Sequence, residues 1–177
     1  MPRELLEWCI RETSNSQCAQ IFQTIMDKLS HVEERLSHEP YIDMCRLATA
    51  EDVRAGIVPI AVPINSEDSQ LCYTPETYCI HLKNILRLMD RYGNYFFLPL
   101  RAKDSSNYDL FANESGMALI VPKQPPTMVM EISRPAMVTA FREHLLRKAD
   151  SVGYDGIHRE KVRMELKALI HELDSSL

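Results

Sequence analysis

From Cys18 to Leu36, apolar residues return at intervals of three and four: Cys18, Phe22, Ile25, Met26, Leu29, Val32 and Leu36. That period is the mark of an α-helix with one apolar face, and Asp27, Lys28, Glu33, Glu34 and Arg35 fall mostly on the other side. The spacing predicts a helix over 16–36, docked on a core or on a partner. A shorter helix precedes it, built on Leu5, Leu6, Cys9 and Ile10 and ended by "TSNS". Residues 1–40 therefore read as an N-terminal helical arm packing on the core or a partner. Residues 41–177 read as a single domain that folds as one unit with it.

Punctuation along the chain places the next elements. In "TAEDV" Thr49 stands three residues before Asp52, a capping-box-like start for a short helix that Gly56 would end. "GIVPIAVPI" is apolar but interrupted by Pro59 and Pro63, which suits an edge strand or a buried extended linker and no central strand. "NSEDSQ", residues 65–70, reads as a surface turn. Thr74 as N-cap and Pro75 at the first helical position open a long helix. Its broad apolar face runs from Tyr78 to Met89, and Gly93 or Asn94 closes it.

The period then changes. "YFFLPL" (95–100), "NYDLFANE" (107–114), "GMALIVP" (116–122) and "TMVMEIS" (127–133) are short, rich in aromatic or branched residues and separated by turn-forming stretches. The last alternates and stops at "SRP", where Ser133 and Pro135 start a helix carrying Met137, Val138, Phe141, Leu145 and Leu146. A terminal amphipathic helix follows, marked by Val162, Leu166, Leu169, Ile170 and Leu173. The expected fold is α+β: a small, mainly antiparallel sheet, a meander of three to four strands plus an edge strand, packed against several helices.

Composition narrows the classes. At 177 residues and 45% hydrophobic, the chain suits one buried core. A net charge of −5 argues against a chain that by itself coats nucleic acid or an anionic membrane. The first residues mix charges among apolar positions, unlike a signal peptide, and no apolar run reaches the ~18 residues of a membrane span. A cytoplasmic protein without membrane contact is expected. The five cysteines are scattered without a CxxC pair and read as free thiols packed as small hydrophobes.

Catalytic and metal signatures are few. There is no HExxH, no GxSxG elbow and no glycine-rich phosphate loop, so no catalytic residue, metal site or cofactor is expected. His81 and Lys83 have the HxK spacing of phospholipase D enzymes, but Leu88 stands where their aspartate belongs. What the chain does offer is a group of aromatic, methionine and polar-tipped residues suited to a mostly apolar ligand pocket: Tyr78, His81, Tyr95, Phe97, Phe111, Met128, Met130 and Glu131. Glu131 stands out because it lies within an otherwise apolar strand. Two alternatives stay open: a small enzyme using His81 or Glu131 with a tyrosine as acid/base groups, and a structural interaction module without ligand.

One resemblance bears on these readings. The stretch from "YCIHLKNILRLMDRYGNYFFLPL" through "GMALIVPKQPPTMVMEISRPAMVTAFREHL" resembles the C-terminal sensor regions of bacterial helix-turn-helix transcriptional regulators. The resemblance rests on Asn94, Tyr95, Gly116, Ala118, Leu119, Pro125, Pro126, Pro135, Met137, Val138, Ala140 and Phe141, about 70 residues of structural rather than catalytic motif. It implies a non-enzymatic, effector-binding domain that forms a homodimer and reaches DNA only through a segment not in this chain. Residues 1–40 lack the short helix, tight turn and basic recognition helix of a helix-turn-helix.

Overall fold

The computed structural model describes residues 1–14, 16–38, 41–60, 71–100, 108–112, 118–122, 130–151 and 156–175. These are mostly helical. In chain order they form α1 (Arg3–Glu12), α2 (Ser16–Leu36), β1 (Tyr41–Arg46), α3 (Ala50–Arg54), α4 (Pro75–Arg91) and β2 (Tyr95–Leu100). Then follow β3 (Tyr108–Ala112), β4 (Ala118–Pro122), β5 (Met130–Ile132), α5 (Pro135–Ser151) and α6 (Gly156–Asp174).

The expectation of an α+β domain built on a mainly antiparallel meander is overturned. Helices dominate, and β1 and β2 pair in parallel, in register from Tyr41 beside Tyr95 to Arg46 beside Leu100. The strand order is β2-β1-β3-β4-β5, so β1 separates the two strands that a meander would have joined. Two physical reasons account for the error. A parallel pair needs a long crossover, here the stretch carrying α3 and α4, and local turn signals do not encode such a pairing. Furthermore, "YIDMCR" does not alternate cleanly, since the apolar residues Tyr41 and Ile42 are adjacent, as are Met44 and Cys45. The expected edge strand is not among the strands of this sheet: Pro59 bridges Cys72, with the Ile60 N–H donating to the Leu71 carbonyl at 2.9 Å and the Tyr73 N–H to the Val58 carbonyl at 2.8 Å, and residues 61–64 lie outside the described residues. The sheet edge is β2 instead, where Pro99 is tolerated because an edge strand can spare one N–H donor.

Helix starts follow their capping residues. The Asp52 N–H donates to Thr49 Oγ1 at 3.1 Å, and Gly56 leaves α3 at φ +66, a backbone only glycine adopts without strain. At α4, Thr74 and Thr77 cap each other reciprocally: the Thr74 N–H donates to Thr77 Oγ1 at 2.8 Å and the Thr77 N–H to Thr74 Oγ1 at 3.2 Å. This is a capping box with threonine in the place of the usual glutamate.

The chain divides into two compact units. The first comprises Met1–Arg35, Ala48–Arg87 and Leu166–Leu177. Its buried residues include Leu5, Leu6 and Cys9 of α1, Val53 of α3, Leu82 and Ile85 of α4, and Leu166 and Leu173 of α6. Each fully buried leucine contributes about 1.5–3 kcal/mol relative to exposure.

The second unit comprises Leu36–Leu47 and Leu88–Glu165 and holds the sheet, with Ile42, Tyr95, Phe97 and Leu98 buried and α5 packed against β1 and β3. At the end of α4 the last carbonyls have no helical N–H to receive. Arg159 of α6 supplies a donor to one of them, that of Met89, and to two carbonyls just beyond the helix. Its Nη1 donates to the Tyr95 carbonyl at 2.8 Å, and its Nη2 donates to the carbonyls of Tyr92, at 3.0 Å, and Met89. Arg163 pairs with Asp90 and, at 3.2 Å, with Glu160. Two cations thus meet the negative end of the α4 dipole.

Candidate functional site

The residues singled out for a pocket fall into both units. Tyr78 and His81 lie in the first; Tyr95, Phe97, Phe111, Met130 and Glu131 lie in the second; Met128 is outside the described residues.

Within the first unit, Tyr78 and His81 are one helical turn apart on α4, which places both side chains on one face. Tyr73, just before the helix, completes a three-ring cluster. Its ring meets Tyr78 edge-on at 5.0 Å and 70°, and meets His81 at 5.5 Å and 66°, while Tyr78 and His81 lie parallel at 6.2 Å and 4°. Edge-to-face contacts of this kind contribute about 0.5–1.5 kcal/mol beyond burial. The polar tips are committed as well. The Ala48 N–H donates to the Tyr78 hydroxyl at 3.0 Å, and the Tyr73 hydroxyl is 3.2 Å from His81 Nδ1. Burial first, then the positive amino terminus, lowers the His81 pKa from 6.5 to about 3. The imidazole is therefore neutral at physiological pH and serves as a flat wall, hydrogen-bonded at one nitrogen.

In the second unit, the strand register puts several candidates in one row. Phe97 lies beside Asp43, Asp43 opposite Phe111, Phe111 opposite Leu119, and Leu119 opposite Glu131. Two residues along the strands, on the same face, Tyr41 stacks on Tyr95, with ring centroids 5.9 Å apart and planes at 16°. The Tyr95 hydroxyl donates to Asp43 Oδ2 at 2.8 Å. Burial, and secondarily the Asp43 carboxylate, pushes the Tyr41 hydroxyl above its ordinary pKa. Asp43, Tyr41 and Tyr73 escape a sequence reading because their importance comes from pairing and packing. The one available signal was an aspartate set among apolar neighbours in "YIDMC".

Cysteine chemistry is muted here. Cys9 and Cys79 are buried free thiols, each pushed to about 11, in both cases mainly by burial. Since the thiolate is the reactive form and both are buried, they are expected to be alkylated after the more exposed Cys18 in the native chain. Peptide mapping after brief iodoacetamide pulses reads the order, and urea should abolish it. Equal native rates would show that burial does not protect these thiols.

Among the described residues, no group of three or more His, Cys, Asp or Glu side chains is arranged to hold a metal ion. Nor, among the same residues, is any helix long and apolar enough to cross a membrane. Comparison with known protein families, with curated proteins and with solved structures finds no match to this chain.

Proposed function

We propose that this chain is a non-enzymatic regulatory domain of a bacterial transcriptional regulator: cytoplasmic, dimeric, responsive to a small effector, and joined to DNA through a helix-turn-helix segment other than this chain. The observation that carries the reading is the state of His81. The residue best placed by type for acid/base work is a neutral ring packed against two tyrosines, with a pKa about 3 that makes it a poor proton carrier near neutrality. Such a cluster is suited to holding shape. The regulator motifs add support, with Asn94 and Tyr95 opening β2 and Pro135, Met137 and Val138 opening α5 directly after β5.

A ligand with different affinities for two arrangements of a dimer would couple effector to DNA. Native mass spectrometry of the purified chain tests this directly. A dimer carrying extra small-molecule mass is the expected spectrum. A bare monomer, with no mass gained from any effector panel, would sink the proposal.

A further inference from the structure

We draw no further inference here: the strongest candidate, the side-chain cluster of Tyr41, Asp43 and Tyr95 on one face of the sheet, belongs to the site already described, and nothing among the described residues shows what would occupy it.

Discussion

Replacing Arg159 with alanine is expected to destabilise the chain by about 3 kcal/mol, because one guanidinium serves three backbone carbonyls, those of Met89, Tyr92 and Tyr95. A hydrogen bond to a charged donor is worth about 1.5–3 kcal/mol, and the three bonds share one side chain, so their energies do not simply add. Water can reach part of this site, since Arg159 is only half-buried, and that holds the expected loss well below the sum. Arg159→Lys keeps the charge but has a compact ammonium in place of the planar fork, so it should recover less than half of the loss. The urea midpoint, compared at unchanged slope, measures both variants. A midpoint for Arg159→Ala equal to the wild type's would mean that solvent satisfies these three carbonyls equally well.

Arg159 also shows where sequence reading stops. In "GIHREKVRMELKALIHELD" it is one of several charges on an amphipathic helix, and spacing alone assigns it to solvent. Its partners lie 64 to 70 residues away and are backbone groups, which carry no side-chain signature. Helix starts were legible for the opposite reason. Thr49 and Thr74 act within three residues of themselves, so the chemistry of the cap is written locally. The sheet divides along the same line. The segments now seen as β2, β3, β4 and β5 are visible as short branched or aromatic runs, but the insertion of β1 beside β2 is a non-local choice made by packing.

Candidate residues obey the same rule. Tyr78 and His81 were identifiable as a pair because one helical turn separates them. Their third member, Tyr73, belongs to an extended segment whose N–H donates to the Val58 carbonyl at 2.8 Å, a contact that no period announces. Similarly, Phe97, Phe111 and Glu131 attracted notice by residue type, yet it is Asp43, from the unrecognised strand, that connects their register row. Knowing that Phe111 and Glu131 each belong to a strand does not fix which residue stands opposite, because a one-residue slip changes the whole row.

Acid should expose the energetic role of His81. Folding lowers its pKa from 6.5 to about 3, so the unfolded chain binds the proton more tightly than the folded one. The sign follows: this contribution to stability is fully present above pH 6.5 and is lost as pH falls from there toward 3. Linkage sets the slope at about 1.4 kcal/mol per pH unit for one proton across that window. By pH 5 the expected loss is about 2 kcal/mol, from this group alone. His81→Gln retains a hydrogen-bond acceptor for the Tyr73 hydroxyl while removing the titration, so it should cost about 1 kcal/mol at pH 7 and flatten the acid limb. Urea midpoints of both proteins at pH 7 and pH 5 separate the effects, since a structural defect alone shifts both points equally. If the two proteins keep parallel pH profiles, the proton is taken up elsewhere, and His81 is not held neutral by its burial among the tyrosines.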